Sequence, residues 1–368
     1  MNAQAQDVAW RLSLAGLFVF FLAVFLMAGQ FDQPAHAQTG GLVPGNTQGQ
    51  TADPEFWREI RKGARGTVSN QNPQAGQLIQ SEGDNWRAMR NGPLVKWGGW
   101  ALFGTIALLA LFFFLRGRIA IEHGASEERI TRFSDFERMS HWILAVSFII
   151  LAISGLNMLY GKYVLLPLIG GGAFAYITAL GKWAHNFLAF GFMLGLVLIF
   201  FRWIKHNIPN LGDIKWLLVG GGLFTKGVHP PARKFNAGQK IIFWLVILCG
   251  VSISASGISL LFPFQTALVA KTFAALNAMG FTSVPVEVTP MMEMQYSQLW
   301  HSIVAVVFVA VILAHIYIGS IGMEGAFDAM GSGEVDVNWA KEHHSLWVEE
   351  MSTSGQLPGS KPVQPPAE

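Results

Sequence analysis

Cysteine is almost absent: among 368 residues there is one, Cys249, set within an apolar run. A single thiol excludes an internal disulfide, a cysteine-ligated iron-sulfur cluster and the CxxCH attachment of c-type haem within this chain. Charge is scarce too, at 13% Asp, Glu, Lys and Arg against 52% apolar residues, too little for the surface of an ordinary soluble protein. The formal net charge is only +2 and no Lys/Arg tract occurs, so the electrostatic footprint of a nucleic-acid binder is missing. No repeat with a 20 to 50 residue period is visible, which removes solenoids. What the chain has in quantity is apolar length, and it reads as an all-α membrane protein, a transmembrane helical bundle.

The first apolar run, Leu12 to Gly29, follows Arg11 and precedes Ala35-His36-Ala37. That pattern makes residues 1–37 a signal peptide or, if uncleaved, an anchor. Residues 38–93 then form a periplasmic linker and docking segment. Gln, Gly, Pro and Asn dominate its first part, and Asp53-Pro54-Glu55 supplies a cap, a first-turn proline and a first-turn acid for a short helix to about Lys62. Residues 63–93 suit either a docking appendage or a solvated tether.

Five spans follow within residues 94–322, near 94–115, 141–160, 183–204, 240–262 and 298–322, each long enough at ~1.5 Å per residue to cross hydrocarbon. Between the first and second spans stand Arg116, Arg118, Arg129, Arg132 and Arg138, and residues 202–240 hold seven more basic side chains. The opposite loops hold Lys162, Lys182 and Lys271. The positive-inside rule therefore makes the N-terminal region periplasmic and residues 323–368 a cytoplasmic C-terminal tail, in a bacterial inner membrane crossed several times. From Ser352 onward, Ser, Pro and Gly predict disorder.

The last span carries the chemistry. His301 and His315 are fourteen residues apart, close to four helical turns, so both rings point to one side, roughly 21 Å apart at ~1.5 Å per residue. The predicted topology puts His185, at the start of the third span, level with His301 near the outer face. His141, at the start of the second, lies level with His315 near the inner face. Two imidazoles facing each other across a bundle form the axial ligand set of a b-type haem, so two stacked haems follow. The competing explanation is that these are packing, interfacial or proton-relay histidines of a haem-free transporter or assembly protein. A diiron oxidase would need clustered histidine boxes; the only adjacent pair is His343-His344. The remaining histidines, including His123, His206, His229, His343 and His344, are expected to be solvated or interfacial. Gly155, Gly191, Gly195, Gly250 and Gly257 leave room in the spans for a flat macrocycle or for another helix. With both axial positions filled, the iron would have no open site, and electron transfer is the remaining role.

Residues 132 to about 349 resemble the gamma subunit, the membrane cytochrome b, of respiratory formate dehydrogenase. The matching stretches are Arg132-Phe133, Ser140-His141-Trp142, Ile153-Ser154-Gly155, Arg202, His206-Asn207-Ile208-Pro209, Phe235-Asn236-Ala237-Gly238-Gln239-Lys240 and Trp339-Ala340-Lys341-Glu342-His343-His344. The resemblance implies the same histidine pairing, His185 with His301 and His141 with His315. It also implies a quinone site beside the inner haem at Asn236, Gly238 and Gln239, with menaquinone or ubiquinone as acceptor. A polar turn there can offer amides to a quinone carbonyl, and Asn236 equally suits an ordinary helix N-cap. The implied partners are an iron-sulfur beta subunit and a molybdenum or tungsten catalytic alpha subunit, so formate is oxidised elsewhere. The nearest alternative is the cytochrome b of a nickel-iron hydrogenase or thiosulfate reductase, against which the Asn236–Lys240 and Trp339–His344 stretches argue. Compact members of the family begin just before His141; this chain adds a leader, an exported segment and one further span.

Overall fold

The computed structural model describes residues 81–126 and 128–355; the leader, the linker with its Asp53 helix and the last residues lie outside them. Five described helical rods are long and apolar enough to cross a membrane. The first is α1 (Ser81–Met89) continued through a π turn (Arg90–Leu94) into α2 (Val95–Arg116). Pro93 lies in that turn, where its missing N–H suits the widened ladder. The helix thus starts well before the apolar run at Leu94. It ends at Gly117, whose φ of 70° and N–H to the Phe113 carbonyl close the last turn.

A short strand β1 (Arg129–Thr131) precedes α3 (Asp135–Val164), which opens on a capping box between Ser134 and Glu137. α4 (Leu166–Trp203) follows almost at once. The loop expected over residues 161–182 is helical, and the chain reverses instead at Leu165 and at Gly170, whose φ of 76° a side chain would resist. Asn157 Nδ2 donates to Thr178 Oγ1 across the pair at 3.0 Å. After α5 (Leu211–Leu218) come α6 (Ala237–Leu261), α7 (Leu268–Ala278) and α8 (Pro290–Ile318). α8 starts at Pro290 because Thr289 caps it and proline suits the first helical position. α8 packs along α6 and α2, α4 along α3 and α6, and α8 touches α3 only sparsely.

Residues 323–355 are a folded cap rather than a loose tail. They hold α9 (Asp328–Gly331), β2 (Glu334–Asp336), α10 (Val337–His343) and α11 (Ser345–Thr353). β2 pairs antiparallel with β1, Ile130 opposite Val335, so among the described residues the helical bundle carries one two-stranded ribbon. Val335, Trp339 and Ala340 of the cap are buried, together with Phe133, Trp203 and Phe235 at the same end. Large side chains such as Trp97, Phe103, Phe114 and Leu168 stay exposed on the spans, as they would where the solvent is lipid.

Candidate functional site

α8 carries His301 and His315, and the structure brings each against a histidine of another helix. The His141 and His315 ring centroids are 6.3 Å apart, and those of His185 and His301 are 6.2 Å apart. Metal-imidazole bonds of about 2.0–2.1 Å, with about 1.1 Å from nitrogen to ring centre, put two rings sharing one ion roughly 6.2–6.4 Å apart. Both pairs fit that span. Among the described residues, no group of three or more His, Cys, Asp or Glu is placed to hold a metal ion, as a diiron centre would require.

The two levels are separated by an aromatic layer that hydropathy alone does not single out. Phe308 lies between His301 and His315 and is 1% exposed; its ring stands 4.7 Å from Phe148 and 6.2 Å from Phe192. Each of these phenylalanines follows a paired histidine by seven residues, two helical turns, so ring and imidazole share a face. That spacing was the available signal.

The surroundings of the pairs differ. Ser154 Oγ lies 2.9 Å from His185 Nδ1, and Ser256 Oγ 3.1 Å from His301 Nδ1. A Cβ added to Gly155 would meet His185 Cε1 at 3.4 Å, and one on Gly257 would meet His301 Cε1 at the same distance. Gly195 instead lies against the Leu144 backbone and Gly250 against Leu196, so the intramembrane glycines divide between histidine cradles and helix contacts. At the other level, His141 Nδ1 is buried with no hydrogen-bond partner, while Trp142 Nε1 donates to the Met330 carbonyl at 3.0 Å.

The resemblance between the two serine cradles extends along the chain. Arg132-Phe133-Ser134, Glu137-Arg138, Trp142 and Ser154-Gly155 return at one constant offset as Lys234-Phe235-Asn236, Gln239-Lys240, Trp244 and Ser256-Gly257. α3 and α6 are thus two copies of one element, each opened by a capping box. The offset exceeds the 20 to 50 residue periods of solenoids.

That box engages the residues expected at a quinone site. Asn236 Oδ1 accepts from Gln239 N at 2.9 Å, and Gln239 Oε1 accepts from Asn236 N at 3.1 Å and Arg132 Nη2 at 3.3 Å. The side-chain oxygens therefore start α6, as the N-cap alternative required, and their NH2 groups are the donors left over. Gly238 packs under Trp216. Arg132 is wholly buried, over the rings of Phe133, Trp339 and Trp347 at 5.3, 4.9 and 5.7 Å, and burial lowers its pKa to about 9. It remains cationic at neutral pH.

The outlying histidines need correction. His344, expected in solvent or at an interface, is fully buried, with Nδ1 2.7 Å from the Arg233 carbonyl. Burial holds its pKa well below the ordinary value and lowers that of His343 to about 4. His123 and His229 pair with Glu342 and Glu122 at 2.7 and 3.0 Å. His206 is exposed beyond α4. Hydropathy does not reveal the buried His344 and half-buried His343 because they lie in a short polar stretch whose burial depends on the distant Phe133, Trp203 and Phe235.

A family model described as prokaryotic cytochrome b561 matches residues 132–333. The chain is 30% identical over 224 residues to the formate dehydrogenase cytochrome b556(fdo) subunit of Escherichia coli strain K12, covering 61% of this chain and 94% of the relative. It is 27% identical over 229 residues to that strain's nitrate-inducible formate dehydrogenase cytochrome b556(Fdn) subunit, covering 62% and 94%. Against the formate dehydrogenase cytochrome b556 subunit of Haemophilus influenzae the identity is 25% over 228 residues, covering 61% and 85%. The chain, with its five apolar rods and its histidines paired across them, belongs to the prokaryotic cytochrome b561 family of helical membrane haem proteins.

Proposed function

We propose that this protein is the membrane cytochrome b subunit of a respiratory formate dehydrogenase, passing electrons from a periplasmic iron-sulfur subunit to quinone near the cytoplasmic side. The observation that carries the reading is the pair of imidazole couples, 6.2 and 6.3 Å between centroids, strung on one helix. His185 and His301 hold one b-type haem near the outer face; His141 and His315 hold the other near the inner face. Bound haem supplies reversible one-electron chemistry. The protein's part is to present one imidazole from each of two helices at each level and to keep the interior dry through Phe148, Phe192 and Phe308. At the basic end, the amide NH2 groups of Asn236 and Gln239 left over by the capping box are the donors offered to a quinone carbonyl, with Gly238 seated under Trp216 beside them. The relatives' names support formate dehydrogenase as the complex. Its iron-sulfur beta and molybdenum or tungsten alpha subunits would dock on the periplasmic side and oxidise formate there.

Purification in mild detergent tests the proposal. Two b-type haems per chain in the dithionite-reduced spectrum, co-purifying iron-sulfur and catalytic subunits, and haem reduction by formate are expected. A spectrum without b-type bands would leave the haem-free transporter reading standing. Haems reduced by hydrogen and not by formate would move the chain to a hydrogenase complex.

A further inference from the structure

The two serines at the His185–His301 level do more than fill space. Ser154 lies within 2.7 Å of the Ile150 carbonyl and 3.1 Å of that of Leu151; Ser256 lies 3.1 Å from both the Ser252 and Ile253 carbonyls. A hydroxyl has one proton, and in each serine it is donated back to the preceding helical turn. The oxygen then faces histidine Nδ1 as an acceptor, beside the backbone carbonyl of Leu151 for His185 and of Ile253 for His301, so the imidazole is the donor. This fixes the tautomer: Nδ1 carries the proton and the lone pair of Nε2 points across the gap between α4 and α8. Gly155 and Gly257, each one residue beyond its serine, leave the room the ring occupies, since a Cβ on either would already touch the histidine Cε1 at 3.4 Å, and so little space remains for the ring to tilt. The arrangement occurs twice, on α3 and on α6, one copy for each ligand of the same pair. His141, at the other level, has no such acceptor at Nδ1.

We infer that Ser154 and Ser256 are positioning residues that set the tautomer of His185 and His301 and hold the haem between them at a low potential. An acceptor on Nδ1–H makes the imidazole a stronger electron donor, and hydrogen bonding around the axial ligands is one of the protein's levers on haem potential. Stronger donation favours oxidised iron. The haem first to receive electrons is thus set to release them to the second level, where at least His141 lacks this support. The inference rests on the haem assignment proposed above.

The test is a spectroscopic redox titration of the whole complex carrying S154A, S256A or both, with S154T and S256T as controls and haem content measured on each. H301A identifies the signal of this haem by its loss. In the double alanine variant, poised at the wild-type midpoint of this haem, the reduced to oxidised ratio is expected to rise about tenfold, a shift of about 59 mV for one electron. Each single variant should shift it less, the threonine variants should stay near wild type, and the second haem should not move. Two retained haems with unmoved potentials, or equal shifts in both, would overturn the inference. Should an alanine variant lose this haem alone, retention in the threonine variant supports the hydroxyl's role and equal loss in it refutes that role. Wild-type protein without two haems would instead overturn the assignment beneath the inference.

Discussion

The His185–His301 and His141–His315 pairs have nearly the same spacing and share one helix, yet they are built differently. The first is braced by two serines and two glycines on duplicated helices, far from the folded cap. The second stands beside that cap, near the buried Arg132, the α6 capping box and the carboxylate-paired histidines. One level is arranged to fix a ring and nothing else. The other stands at the end of the bundle that carries the cap with its polar and ionisable groups. Equal spacing in unequal settings leaves the neighbours of each pair, and not its spacing, to tell the two levels apart.

The largest effect should come from removing one ligand at a time. H301A should lose one haem, about half the b-type absorbance, and H141A the other, in pyridine haemochrome assays and low-temperature spectra; loss of the same spectral component in both would break the two-level scheme. Next is the layer between them. F308A should cost about 3–5 kcal/mol, the usual range for emptying a core phenylalanine site, and lower the thermal stability in detergent while perturbing both haem spectra. A change at one level alone would show that the layer is not shared.

N236A should remove a helix cap worth about 1 kcal/mol and slow quinone-dependent reoxidation of the His141–His315 haem, leaving the other midpoint unchanged. Normal quinone turnover would detach the amides from the site. The smallest effect concerns pH and only the capped end. Burial alone would raise the Glu342 carboxyl, but hydrogen bonds from the backbone N–H groups of His123 and Glu122 and from the His123 ring hold it below the usual carboxylate range. A depressed pKa adds stability that is present above the unfolded value, about 4.3 for glutamate, and is lost as pH falls through the folded one. Acid titration should therefore loosen the cap below about pH 4, and E342Q should flatten that part of the curve, as read by tryptophan fluorescence.

The five spans were legible because a membrane helix must be apolar over its own length, whatever surrounds it. Their ends were less so: α4 begins at Leu166 because the turn needs only Leu165 and Gly170, and α8 at Pro290 because Thr289 caps it. The histidine levels could be paired from spacing and topology, since fourteen residues return a helix to the same face. Asn236 was ambiguous in sequence because one amide can both cap a helix and face a ligand. The serine cradles stayed hidden because Ser-Gly is an ordinary dipeptide until a histidine from the next helix is placed against it.

By itself, the sequence determined that this is an apolar helical bundle with one histidine of α8 at each level, because periodicity and hydropathy act along a single strand of chain. Only the tertiary structure decided which side chains back those histidines, that Phe308 meets Phe148 and Phe192 between them, and that His344 is buried under a folded C-terminal cap. Those outcomes depend on contacts between residues far apart in the chain, which local pattern does not encode.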